Sequence, residues 1–313
     1  MDLCLMIEGQ EGVSWPHWLE IAGACERHGI GTLFRSDHYL NLDGNHPERG
    51  SLDAWGTLCG LAAATKTLRF GTLVSPVTFR HPSELAKLVT TADLISGGRV
   101  ELGLGSGWHE REHASYGFPF FDQRTRMDLL EEQIQVVLGN WSPEPFSFSG
   151  KHYRLSELQA EPKPLQSPHP PLIMGGGALA RGARLAASYA DEYNLLYATP
   201  AEAAERRERI AFACEQAGRD QIPVSLMTVV ITGTNQADLQ ARLRRVAAVS
   251  GASAEQLLKS PRSGWIVGTT AEVAERLSEL SAVGITRVIC QHLAHEDLEF
   301  IEILGKELAP LMR

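Results

Sequence analysis

The side chains able to do chemistry gather in two stretches. Asp37-His38 follows the apolar run Thr32–Arg35 and sets a carboxylate beside an imidazole. A carboxylate that orients an imidazole leaves the ring to give or take a proton near neutral pH. A rim pair that caps a loop is the plainer reading. His109-Glu110-Arg111-Glu112-His113 is the second stretch, and it spells HExxH, the signature of zinc hydrolases. On a helix its two histidines would share a face, and Glu110 would activate a zinc-bound water. Gly107 just ahead, with Gly117 and Pro119 just behind, leaves no long helix to carry that motif. A solvated polar helix face, or the mouth of a cofactor site, competes with it, and no metal site is expected. Glu8 closes the first apolar run. It reads as a proton donor, a polar wall or a solvated turn residue.

Glycines mark where backbone must bend or be approached. Gly103, Gly105 and Gly107 alternate at the end of the run 100–104, and Trp108 follows at once. Gly175-Gly176-Gly177 precedes a helical stretch. Unpaired backbone N–H groups and the positive end of a helix would make that turn an anion cradle. A tight turn needed only for packing is the alternative. Leu73-Val74-Ser75-Pro76 leaves a strand where a bulge would bring backbone against a flat ligand.

The elements that position these residues alternate. Strands are expected at 3–8, 32–35, 68–75, 99–104, 172–174, 191–196, 224–232 and 286–291. Helices are expected at 15–28, 52–65, 82–96, 122–140, 178–189, 200–217, 237–249, 270–283 and 297–308. A hairpin is expected at 146–155, a loop at 40–51 with Gly44, Pro47 and Gly50, and irregular chain at 251–264. About eight strands in strand–helix alternation predict an α/β fold, a single (β/α)8 barrel with insertions, spanning 1–313 as one domain. Asp37, Gly105 and Gly175 then all lie just past strand ends, where such barrels do their chemistry. Substrate contacts are expected from 40–51, 109–121 and 251–265, because loops carry specificity.

Composition narrows the partners. The chain has 313 residues and a net charge of −9, with no basic stripe, so nucleic acid is not an expected partner. No apolar run reaches the length of a membrane span, and the N-terminus does not read as a signal peptide. Five scattered cysteines, none in CxxC spacing, read as buried thiols in a reducing cytoplasm.

Seven segments, in order, carry a resemblance. They are Ser36-Asp37-His38-Tyr39, GTLVSPVTFRHP from Gly71, SGGRVELGLGSGW from Ser96, YGFPF from Tyr116, Pro162-Lys163-Pro164 with Gln166, PLIMGGG from Pro171, and ADEYN from Ala190. Together the chain resembles the bacterial luciferase-like flavin and deazaflavin oxidoreductases, and within them the coenzyme F420-dependent branch. The resemblance implies hydride transfer between F420 and a small organic substrate at the C-terminal mouth of a barrel, in an enzyme often dimeric. FMN-dependent monooxygenation is the alternative, and zinc hydrolysis through His109, Glu110 and His113 a remote one. By position, it implies that Asp37 and His38 meet the cofactor ring or reacting centre. It implies that Leu73 and Val74 back the ring through a bulge that can hold a non-proline cis peptide. Gly105, Ser106, Gly107 and Trp108 would line the ring, and Gly175, Gly176, Gly177 and Ala178 would hold the phosphate. Arg80, Arg181 or Arg184 near that phosphate would favour the acidic tail of F420. Trp108 stands where sugar-phosphate dehydrogenases of the family carry a catalytic glutamate. His38, His109, Glu110 or Glu8 would then handle the proton, with His38 the first choice.

Overall fold

The computed structural model describes residues 1–42, 46 and 48–312. Gly44 and Pro47 of the expected 40–51 loop lie outside the described residues. The chain divides into two compact units. One holds Met1–Glu8, Val13–Phe34 and Gly175–Arg313, and the other Gly9–Gly12 and Arg35–Met174.

In the first unit, strand Asp2–Ile7 pairs in parallel with Arg287–Gln291, which pairs with Val224–Gly233. Val224–Gly233 also pairs in parallel with Glu192–Leu196 and Ile266–Thr269. Its whole length is buried, as a parallel strand covered on both faces requires. Helix Trp15–His28 starts where Ser14 caps the amide of His17, and it stops at Gly29 in the left-handed conformation. Helix Pro200–Gln216 opens on a capping box between Thr199 and Glu202.

In the second unit the central strand is Val100–Gly105. It pairs in parallel with Arg69–Thr72, with Ser75–Pro76 and with the start of Leu172–Gly176. Its one charged residue, Glu101, is buried and paired with Arg69 at 2.8 Å, which is why an apolar run tolerates it. Helices Ala54–Ala64, Pro82–Ser96 and Gln123–Trp141 belong to this unit, as does the antiparallel hairpin Phe146–Ser149 with Arg154–Leu158.

Parallel strands alternating with helices give the expected fold class, a (β/α)8 barrel. Two expectations need correction. The stretch 251–264 contains a helix, Ala254–Lys259, started by a capping box of Ser253 and Gln256. A strand, Ile266–Thr269, then follows. Serine and proline density hid both. Among the described residues no helix is long and apolar enough to cross a membrane.

Candidate active site

The site is built outward from the end of strand Val100–Gly105. A Cβ on Gly103 would lie 2.1 Å from the Thr72 carbonyl oxygen and 2.9 Å from Val74 Cγ1. One on Gly105 would lie 2.6 Å from Val74 Cγ2. Both glycines therefore make room for the protein's own bulge. The Leu73–Val74 peptide in that bulge is cis, as the resemblance implied. The bulge is pinned on both sides. The Leu73 amide donates to the Arg35 carbonyl at 2.9 Å, and Ser75 Oγ accepts from Trp55 Nε1 at 3.1 Å. Ser75 Oγ in turn donates to Asp37 Oδ2 at 2.6 Å.

Asp37 is buried, and its Oδ2 also takes Arg80 Nη1 at 2.6 Å. Arg80 reaches Asp53 Oδ2 at 2.5 Å and the Tyr39 hydroxyl at 3.0 Å. Burial works against the charge of Asp53, but the Gly56 amide and Arg80 outweigh it and hold its carboxyl below the usual range. Arg80 is thus committed to two carboxylates of its own unit.

His38 has a different carboxylate on its ring. Its Nδ1 lies 2.8 Å from Glu112 Oε2, whereas the expected orienting group, Asp37, binds Ser75 and Arg80. Glu112 is wholly buried on helix Glu110–Tyr116. Its other oxygen accepts from the backbone amide of Tyr39 and from that of Leu40 at 3.0 Å. Burial raises the cost of its charge, yet the His38 ring and the two amides outweigh this and hold Glu112 below the ordinary glutamate value. His109 Nδ1 stands 3.6 Å from the same Oε2, and burial pushes that imidazole below its ordinary value. Trp108 is 61% exposed, with its ring centroid 5.7 Å from that of His38 in an edge-to-face arrangement, and it stacks on His109 at 5.0 Å between centroids.

The zinc spelling does not assemble. His113 Nδ1 donates to the His109 carbonyl at 2.8 Å, and His113 Nε2 accepts from Thr78 Oγ1 at 2.5 Å. Glu110 is exposed, so the intended ligand pair and base do not converge. The stretch is no solvated polar face either, because His109, Glu112 and His113 are buried. Sequence reading passed over Glu112. The available signal was helical spacing, which sets residues 109, 112 and 113 on one face.

Two expected positions lie in the other unit. Glu8 is buried, and its Oε1 accepts from Gln291 Nε2 at 2.5 Å. It is partnered and is no solvated turn residue. The Tyr197 hydroxyl completes the row by donating to Gln291 Oε1 at 2.5 Å. At the Gly175–Gly177 turn, a Cβ on Gly177 would meet nothing within 4 Å, so the turn is open there. Helix Ala180–Tyr189 follows with no side-chain cap at its N-terminus. Such a cradle suits a phosphate. The Ala178 amide is spoken for, since it donates to the Tyr193 hydroxyl at 2.9 Å. Arg181 stands half-buried in that first turn, and Arg184 is exposed.

Known proteins share this architecture. The F420-dependent secondary alcohol dehydrogenase, solved with an F420-acetone adduct, superposes with a TM-score of 0.82 at 20% identity, covering 100% of both chains. EDTA monooxygenase from Chelativorans sp. BNC1 gives 0.83 at 16% identity, covering 100% of this chain and 93% of that one. By sequence, the chain is 27% identical over 282 residues to the FMNH(2)-dependent dimethylsulfone monooxygenase of Pseudomonas putida, covering 81% of this chain and 76% of the relative. It is 28% identical over 298 residues to the pyrimidine monooxygenase RutA of Stutzerimonas stutzeri (strain A1501), covering 84% and 79%. The description "Luciferase-like monooxygenase" matches residues 5–287. With that match across nearly its whole length, the chain belongs to the luciferase-like monooxygenase family and is an enzyme that works with a flavin or deazaflavin.

Proposed function

We propose that the protein is an F420-dependent oxidoreductase that moves a hydride between the deazaflavin and a small organic substrate. The observation that carries this reading is the buried carboxylate on Nδ1 of His38. When a hydride moves to or from carbon next to oxygen, a proton must reach or leave that oxygen. An imidazole braced on its far nitrogen is suited to that task. F420, when bound, supplies or takes the hydride, and the protein supplies the setting. Leu73 and Val74 would back the ring, with Asp37 holding their bulge through Ser75. Gly105, Ser106, Gly107 and Trp108 would line it, and Trp108 would give the substrate an aromatic wall. Gly175, Gly176 and Gly177 would take the phosphate, with Arg181 favouring an acidic tail. Glu8 would serve as a polar wall. In this reading the enzyme works in the cytoplasm, as a dimer, on a small molecule.

A second reading is FMN-dependent monooxygenation. It is favoured by the names of the sequence relatives, which are FMNH(2)-dependent and pyrimidine monooxygenases. Both readings keep the same ring-backing residues and differ in whether oxygen is consumed.

The test is His38→Ala. Turnover should fall on the order of 10²–10⁴-fold, the usual share of a general acid or base, with folding and cofactor binding intact. Near-normal turnover would remove His38 from the chemistry.

A further inference from the structure

We infer that Glu112 is the positioning residue of His38, fixing the ring with its hydrogen on Nδ1 and its lone pair on Nε2. The inference deepens the reading of His38 as the proton-handling group and rests on it. Glu112 Oε1 accepts two backbone N–H groups, those of Tyr39 and Leu40. Two donors on one oxygen of a wholly buried side chain suit an ionised carboxylate, which is acceptor-only. Oε2 then faces His38 Nδ1 at 2.8 Å and can only accept, so Nδ1 must donate. The lone pair of the neutral ring is left on Nε2, the atom that can take a proton and return it.

The same carboxylate sets the backbone and the ring together. By holding the amides of residues 39 and 40, it fixes the chain immediately after His38. By holding Nδ1, it fixes the rotation of the ring. A carboxylate with only one of these contacts would leave the other free to drift. His109 does not compete for the role. Its Nδ1 is buried, has no hydrogen-bond partner among the described residues and lies 3.6 Å from Oε2, beyond a good hydrogen bond.

Glu112→Gln makes a sharp test. The amide oxygen of the new side chain should stay under the two backbone donors. Its NH₂ group must then point at His38 Nδ1, which has to accept. The ring hydrogen moves to Nε2, the wrong tautomer for a base at that atom. The experiment is two-bond ¹H–¹⁵N correlation of the ring nitrogens in ¹⁵N-histidine-labelled protein, with His38 assigned from the missing signals of His38→Ala. It needs no cofactor or substrate, so it stands apart from the proposed activity. The expected result is Nδ1–H in the wild-type protein and Nε2–H in Glu112→Gln. Turnover of the variant should fall on the order of 10²–10⁴-fold with KM nearly unmoved. An Nε2–H tautomer in the wild-type protein would overturn the inference, and that spectrum decides alone if the variant does not fold. An unchanged tautomer in a folded variant would overturn it too. Stoichiometric zinc in the purified protein, lost in His38→Ala, would do the same, because a metal on Nδ1 displaces its proton. If the tautomers behave as expected but His38→Ala retains turnover, the geometry stands and the functional reading of His38 fails.

Discussion

Arg80 Nη1 lies 2.6 Å from Asp37 Oδ2, and both side chains are buried. Through Ser75, that pair reaches the bulge at Leu73–Val74. Breaking it from one side leaves a buried charge without its partner, which typically costs about 3–5 kcal/mol. Arg80→Met should therefore lower stability by about that much in urea unfolding. Arg80→Met combined with Asp37→Asn should recover part of the loss. A single variant within about 0.5 kcal/mol of the wild type would show that the pair does not brace the bulge.

Gly103 and Gly177 should respond in opposite ways to the same added methyl group. At Gly103 the Cβ would press on the Thr72 carbonyl at 2.1 Å, and overpacking of this kind costs about 1–3 kcal/mol or more. Gly103→Ala should melt well below the wild type. At Gly177 nothing lies within 4 Å, so Gly177→Ala should hold its stability to within about 0.5 kcal/mol. Its cofactor affinity should nevertheless fall about tenfold, because the methyl group would fill the proposed phosphate cradle. Unchanged affinity in a stable Gly177→Ala protein would remove that turn from the phosphate role.

Acid should reveal Glu112. Its carboxyl is held below the ordinary value of 4.5, so the unfolded chain takes up a proton first as pH falls. The stability that its charge contributes is present in full above about pH 4.5 and is lost as pH drops through the folded value. Glu112→Gln carries no such charge. It should be less stable than the wild type by about 1.5–3 kcal/mol at pH 7, and that gap should narrow progressively as pH falls below 4.5. Unfolding curves at a series of pH values check this, and a gap that widens in acid would contradict it.

Much of the scaffold was legible because periodicity and end signals agree along the chain. Ser14 with Gly29, and Pro82 with Gly97, bound helices that match the expectation at both ends. The glycines at 103 and 105 announced a close approach, and the approaching groups are the protein's own Thr72 and Val74. The site was harder to read. Sequence neighbours suggested that Asp37 orients His38, but the carboxylate on the ring comes from 74 residues away. Adjacency along the chain says little here, because successive side chains at a strand end point to opposite faces. Glu112 was obscured by its surroundings. Set among charged neighbours in a short helix, it reads as solvated until the helix is placed and its inward face is known. The same limit applies to Ile266–Thr269, a four-residue strand whose existence depends on its long neighbour Val224–Gly233.

Cofactor choice separates the proposed F420-dependent activity from FMN-dependent monooxygenation most directly. Purified protein should be titrated in parallel with F420 and with FMN, each oxidised and reduced, following cofactor absorbance and fluorescence. Selective, saturable binding of F420 is the predicted result. Selective binding of reduced FMN would contradict it and assign the protein to the oxygen-using monooxygenases.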